Sequence, residues 1–341
     1  MINRFCCTVL LLSAILIALV ACKREVPVLT GATMGTTYSV IVADLKRTDR
    51  DPLKIAIDTA LRDINDAMST YQEDSFISRF NASGSIEWFD VPAGFVVVTD
   101  AALQIAAASD GAFDPTIGPL VKRWGFGKEQ SKSIPSPDEI ALLLQQTGYE
   151  NLSLDAKNLA IKKNYSDLQL DLNAIAKGYA VDQLAAEVEA LGYTDFLVEI
   201  GGELRVSGSN TDGSPWRIGI ETPDASGNST AGLYLSDNGV ATSGDYRNTF
   251  EHEGNRYSHI IDARNGAPVT HRLASVTVVA DTAMLADGWA TALMVLGPDA
   301  GMEIAEKLEI ACLFIVRDQR QEFSISRSSA FRLLDGQLDS N

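Results

Sequence analysis

The chain has 341 residues, 46% of them apolar, and carries 45 Asp and Glu against 28 Lys and Arg, a formal net charge of −17. That length supports a sizeable hydrophobic core in one large domain or two intimately packed ones, while the acidic balance and the lack of any Lys/Arg run argue against nucleic acid as a partner. An anionic ligand would need local help from a few basic side chains, helix N-termini or a divalent cation.

Residues 1–21 read as an export signal: Arg4 supplies the positive region, and Val9 to Val20 is an apolar run broken only by Ser13, too short for a comfortable membrane span. Leu19-Val20-Ala21-Cys22 resembles a bacterial lipobox. That resemblance implies cleavage before Cys22, diacylglycerol on its sulfur, and an exported protein anchored to a bacterial membrane and facing the periplasm. A plain cleaved signal or an uncleaved anchor is the alternative. With Cys6 and Cys7 removed and Cys22 acylated, Cys312 remains in the apolar run Ile310 to Val316 and reads as an inert buried thiol. Residues 22–30 read as a lipid-anchored linker and 31–341 as the functional domain, with room for two packed subdomains.

Thr37 to Val42 predicts a strand preceded by Met34-Gly35-Thr36, whose glycine either lets backbone approach a ligand or makes a turn. Pro52 opens a helix with Leu53, Ile57, Leu61, Ile64 and Met68 on one stripe. In Glu73 to Asn81, Asp74 or Ser75 can cap a further helical turn. Ala93 to Ser109 predicts a second helix ending at Gly111, and Gly111 to Gly127 reads as a shaped loop rich in glycine and proline. Pro137 to Gln146 predicts another helix. Around Asp171 to Asp182 a period-2 pattern (Leu168, Leu170, Leu172) gives way to a period-3.6 pattern (Ala176, Ala180, Leu184, Val188), a strand running into a helix. Asn173 is the expected N-cap and Lys177 lies one turn in, where free helix N–H groups favour an anion. An ordinary capped connection is the competing reading.

Strands follow at Phe196 to Ile200, Leu204 to Val206, Trp216 to Ile220, Leu233 to Leu235 and Val240 to Thr242. Phe250 to Ile261 predicts a hairpin around Glu253-Gly254-Asn255 with Tyr257, His259 and Ile261 on one face. Ser275 to Ala280 is another strand, Thr282 to Leu296 a helix ended by Gly297-Pro298, and a last helix and two strands close the chain. The predicted class is α+β, with mixed, mostly antiparallel sheets packed with helices. On the 282–296 helix, Asp287 and Thr291 project one turn apart as hard oxygen donors suited to Mg²⁺ or Ca²⁺, although a helical Thr often bonds its own i−4 carbonyl. The sequence holds no zinc-type His/Cys spacing, P-loop, G-x-S-x-G elbow or dinucleotide fingerprint.

Eight blocks stand out in order and spacing: Met34 to Thr36, Glu73 to Asn81, Gly111 to Leu120 with Trp124 to Gly127, Asp171 to Asp182, Glu199 to Glu203, Ser243 to Tyr246, Ser258 to Asp262 with Asn265-Gly266, and Ala286 to Thr291. Together they resemble the ApbE family of FAD:protein FMN transferases, from about Met34 to Thr291. The resemblance implies an ApbE-like flavin transferase fold. It further implies an enzyme that binds FAD with Mg²⁺, splits the diphosphate, transfers FMN through a phosphoester to a Ser or Thr hydroxyl of an acceptor protein, and releases AMP. Residue by residue it implies flavin contacts at Met34, Tyr71, Ala112, Phe113, Asp114, Asp171, Lys177 and Ile261. It assigns the metal to the backbone carbonyl of Ala174 and the side chains of Asp287 and Thr291, and makes His259 the candidate general base. Ala263 and Asn265 stand where the family shows Pro and Thr, which implies a looser turn there. Two other activities remain open: an FAD pyrophosphatase that uses water as acceptor and yields FMN and AMP, and a non-catalytic FAD-binding lipoprotein.

Overall fold

The computed structural model describes residues 26–126, 133–224, 228–246, 249–320 and 322–336. Its spine is an eight-stranded antiparallel sheet in the order Val28–Thr33, Thr36–Val42, Phe196–Ile200, Glu203–Ser207, Asn238–Gly244, Leu273–Ala280, Ala311–Arg317 and Phe323–Arg327. Spatial order follows chain order, so the sheet is a meander with insertions between its strands. Residues 43–195 build most of the helical layer. A hairpin, Trp216–Glu221 with Ser229–Leu235, is the second insertion. Two small hairpins, Thr249–His252 with Asn255–Ser258 and Ile261–Asp262 with Ala267–Pro268, form the third. The helices Ala283–Leu296 and Pro298–Lys307 form the fourth. This is the α+β architecture expected from the pattern.

Both faces of the sheet are covered. One packs Val40, Val198 and Ile200 against the helices Arg50–Met68, Ala93–Ala108 and Ala176–Ala190, and packs Val276 and Val278 against Ala283–Leu296. The other packs Val206, Val240, Leu313 and Ile315 against Trp216, Ile218, Leu233 and Phe331. Strands buried on both faces carry near-continuous apolar runs, as Leu273–Ala280 does, and Cys312 is fully buried among them. The Arg50–Met68 helix buries the predicted stripe of Leu53, Ile57, Leu61, Ile64 and Met68. Thr282 caps Ala283–Leu296 by accepting from the Leu285 N–H at 3.2 Å, and the helix ends at Gly297 with φ 82°.

Three local expectations are corrected. Val28–Thr33, which begins inside the stretch read as a linker, is the edge strand of the main sheet. Leu168 to Leu172 alternates in burial as a strand would, but it joins no ladder. Asn81 instead accepts from the Leu170 N–H at 2.7 Å and donates to the Leu170 carbonyl at 2.8 Å, and the Asp171 N–H donates to the Pro115 carbonyl at 2.7 Å. Asn173 is not the N-cap either. The helix begins at Ala176, three residues later, with Ile175 at the cap position and no side-chain cap.

Candidate active site

Two helices supply the centre. Ala176–Ala190 and Ala283–Leu296 approach closely because residue 178 is glycine: a Cβ there would lie 2.3 Å from the Ala283 carbonyl oxygen. At that separation the Gly178 N–H donates to Asp287 Oδ2 at 3.0 Å. One turn on, Asp182 accepts from the Ala283 and Met284 N–H groups at 3.0 and 2.9 Å, placing a carboxylate on the positive end of the helix that carries Asp287 and Thr291. Arg205 pairs with Asp182 at 3.2 Å.

Charge collects around Asp287. Lys177 Nζ lies 2.7 Å from Glu203 Oε1 and 3.9 Å from Asp287 Oδ1. Asp287 and Glu203 are 4% and 5% exposed, and Glu203 Oε2 has no hydrogen-bond partner among the described residues. Two buried carboxylates thus share one ammonium. Burial pushes the Asp287 carboxyl up to about 7; Lys177 opposes that rise and Glu203 adds to it. Burial acts to lower the Lys177 ammonium, but the charges of Asp287 and Glu203 outweigh it and hold Lys177 above its ordinary value. Thr291 exchanges a hydrogen bond with Ser243 at 3.2 Å, which brings the end of the Asn238–Gly244 strand to the same helix face. A divalent cation fits these residues: the donors are hard oxygens, the local charge is one negative in excess once both carboxylates are ionised, and one buried carboxylate oxygen has no partner among the described residues.

The sheet delivers its turns to this end. Met34 (φ 49°) and Gly35 (φ 74°) form the two-residue turn between Val28–Thr33 and Thr36–Val42, as a tight hairpin of this hand requires. Thr36 touches Gly201, and Ile200 pairs with Glu203 across the Gly201-Gly202 turn. Before the Ala176–Ala190 helix, the half-buried Asp171 accepts from the Asn173 N–H at 2.9 Å, and burial raises its carboxyl against that bond. The Asn173 side chain donates to Thr70 at 3.1 Å, tying the turn before the helix to the Thr70-Tyr71 segment.

Residues 34–314 match the sequence profile of the ApbE family. The chain belongs to the ApbE family. Among its relatives, the FAD:protein FMN transferase of Vibrio cholerae is 42% identical over 324 residues, covering 94% of this chain and 96% of the relative. That of Haemophilus influenzae is 40% identical over 336 residues, covering 94% and 95%. The solved flavin transferase ApbE from Vibrio cholerae superposes with a TM-score of 0.84 at 41% identity, covering 91% of this chain and 99% of that one. The apo flavinyl transferase ApbE of Pseudomonas stutzeri gives 0.83 at 41% identity, covering 92% and 97%.

Against the site residues that the ApbE resemblance implies, the structure brings Asp171, Ala174, Lys177, Asp287 and Thr291 onto or next to the two facing helices. Ala174 lies in the turn that enters Ala176–Ala190. Ala112, Phe113 and Asp114 are buried, and the Asp114 carboxylate is already engaged. Its Oδ1 accepts from the Thr116 N–H and hydroxyl at 2.7 and 2.6 Å, and its Oδ2 accepts from the Tyr149 N–H at 3.1 Å. Tyr71 is 56% exposed and Met34 half-buried. Ile261 packs with Leu120, Trp124 and Phe250, and the half-buried His259 ring lies 6.3 Å from that of Phe126. Between His259 and Ile261, Ile260 joins Ala112, Ala286 and Ala290 in one apolar cluster, which seats the histidine segment against the Asp287 helix.

The turn after Asp262 is not loose. Asp262 accepts from the Arg264 N–H, Nε and Nη2 at 3.0, 2.9 and 2.8 Å, and Trp124 Nε1 donates to the Gly266 carbonyl at 2.8 Å. Sequence reasoning assigned no role to Glu203, Asp182, Asn81 or Ser243. All four lie inside the matching blocks, and position within those blocks was the one signal available for them.

Proposed function

We propose that this chain is a Mg²⁺-dependent FAD:protein FMN transferase that moves FMN from FAD to a Ser or Thr hydroxyl of an acceptor protein through a phosphoester bond and releases AMP. The observation that carries this reading is the buried Asp287–Glu203 carboxylate pair bridged, among the described residues, by Lys177, in a chain whose relatives bear that name. Asp287, Thr291 and the Ala174 carbonyl would hold the cation, which when bound neutralises diphosphate oxygens and withdraws charge from the phosphorus under attack. Lys177 adds an ammonium donor on the diphosphate side. Met34, Tyr71, Asp171 and Ile261 would orient the flavin, with the backbone of Ala112 to Asp114 closing the loop side.

His259 would take the proton of the acceptor hydroxyl as that oxygen bonds to the FMN phosphorus. The P–O bond to AMP breaks, and AMP leaves with the electron pair. A positioned base contributes about 10² to 10⁴ in rate. The test is to incubate the protein with FAD, Mg²⁺ and an acceptor bearing a target Thr, then follow acceptor mass and AMP. An FMN-sized increase with AMP supports transfer. Free FMN with an unmodified acceptor would point to a pyrophosphatase, and tight FAD binding with no AMP to a storage lipoprotein.

Cys22 lies outside the described residues. Its lipobox context supports a chain exported and anchored by diacylglycerol, facing the periplasm, and membrane fractionation of a Cys22→Ser chain tests this. Release of that variant into the soluble fraction is the expected result.

A further inference from the structure

Glu203 makes a contact that anchors Lys177 and leaves half of its own carboxylate unused. It opens the strand Glu203–Ser207 directly after Gly201-Gly202 and is paired across the sheet with Ile200, so its backbone position is fixed by the ladder. Oε1 accepts from Lys177 Nζ at 2.7 Å, while Oε2 is buried with no hydrogen-bond partner among the described residues. A buried carboxylate oxygen without a donor is strongly unfavourable. The Lys177 ammonium is itself shared with Asp287, whose Oδ1 is 3.9 Å from it. Thr291, in turn, is engaged with Ser243 on the same side.

We propose that Glu203 is a further residue of the divalent-cation site, its free Oε2 serving the cation or the water in its shell while Oε1 holds Lys177 between the two carboxylates. This deepens the Mg²⁺ reading above and rests on it. The sheet thereby contributes to the site directly, and the block Glu199 to Glu203 acquires a role. The Gly201-Gly202 turn (φ 60° and 107°) brings the chain back so that Glu203 faces the Ala176–Ala190 helix.

The test reads metal binding, not turnover. Mn²⁺ is titrated by EPR into the full-length protein in detergent with saturating FAD. Glu203→Gln is expected to weaken Mn²⁺ binding about tenfold or more, the size typical of residues supporting a metal's ligands, and to do so equally in a Lys177→Met background. Should Glu203→Gln unfold the protein, Glu203→Asp, which keeps the charge but shortens the reach, is expected to show a smaller loss. Unchanged Mn²⁺ affinity in a folded Glu203 variant, or an effect that vanishes with Lys177→Met, would make Glu203 a mere counter-ion and overturn the proposal while leaving the transferase reading standing. No Mn²⁺ binding by the unmodified protein with FAD would overturn the metal reading and this proposal together.

Discussion

The Gly178 N–H donates to Asp287 Oδ2 at 3.0 Å, joining the first turn of one helix to the carboxylate of another 109 positions away in sequence. The bond exists because Gly178 has no side chain to meet the Ala283 carbonyl. One glycine thereby sets both the separation of the helices and the orientation of the carboxylate assigned to the metal.

Gly178→Ala tests that dependence. A methyl group aimed at backbone cannot swing aside, so the helices must part, and overpacking of this kind costs about 1–3 kcal/mol. Urea unfolding should show a loss of that size, and Mn²⁺ binding should weaken in the fraction that stays folded. A variant with full stability and full metal affinity would remove glycine from the explanation.

Asp287→Ala leaves Lys177 paired with Glu203, and it removes a buried charge that its surroundings oppose. The fold should therefore persist by circular dichroism, while Mg²⁺-dependent AMP release from FAD disappears. Retained full turnover would sink the metal assignment.

His259→Ala should separate chemistry from binding. The side chain lies beside the Phe126 ring, just past the Thr249–Ser258 hairpin in a segment pinned by Ile260 and Ile261, so its removal leaves the proposed flavin contacts in place. FAD affinity, followed by flavin fluorescence, should stay within about twofold, and transfer to the acceptor should fall about 10²- to 10⁴-fold. An equal loss in both would make the residue structural.

Legibility in the sequence followed the range of the interactions. The Arg50–Met68 helix and its buried stripe, the turn at Glu253-Gly254 and the buried Cys312 could be read because each depends on neighbours close in sequence or on a run of apolar residues, although the hairpin stops at Ser258 and Ile261 belongs to the next one. Val28–Thr33 escaped because it is a half-exposed edge strand whose two large apolar residues, Val28 and Leu29, are adjacent and are followed by Thr, Gly and Ala, so it lacks an apolar alternation to betray it. Leu168 to Leu172 misled for the opposite reason: its alternation records real burial, but its partners are the Asn81 side chain and the Pro115 carbonyl rather than another strand. The blocks run through the two facing helices that bring Lys177 and Asp287 together, whereas the pairing of Lys177 with Glu203 depends on sheet register and was invisible.

Asn81 substitutes for a neighbouring strand, and Asn81→Ala should show how much that matters. The change leaves the Leu170 N–H and carbonyl without partners, a loss of about 2 kcal/mol that urea unfolding can measure. Because Leu170 immediately precedes Asp171, FAD binding should weaken as well. Asn81→Asp keeps the acceptor for the Leu170 N–H and loses the donor, so it should lie between the two. Unaltered stability in the Ala variant would mean that water replaces both bonds at no cost.

The Asp287 carboxyl also predicts a pH signature. Without metal its value is raised from 3.8 to about 7, chiefly by burial, so the folded protein keeps a proton that the unfolded chain has already released. The contribution to stability is fully present below the unfolded value, declines as pH rises through the window from about 4 to about 7, and is absent above it. In EDTA, the stability of the unmodified protein should therefore drop between about pH 5 and pH 8 by more than that of Asp287→Asn; the difference isolates this group from Asp114, Asp171 and Asp182, whose values are raised as well. On the metal reading proposed above, Mg²⁺ would compete with the same proton. Its affinity should rise about tenfold per pH unit up to about 7 and then level, with up to one proton released per metal bound below that point. Calorimetry in buffers of different ionisation enthalpy counts that proton directly. A metal affinity independent of pH across this range would show that Asp287 is ionised before the cation arrives.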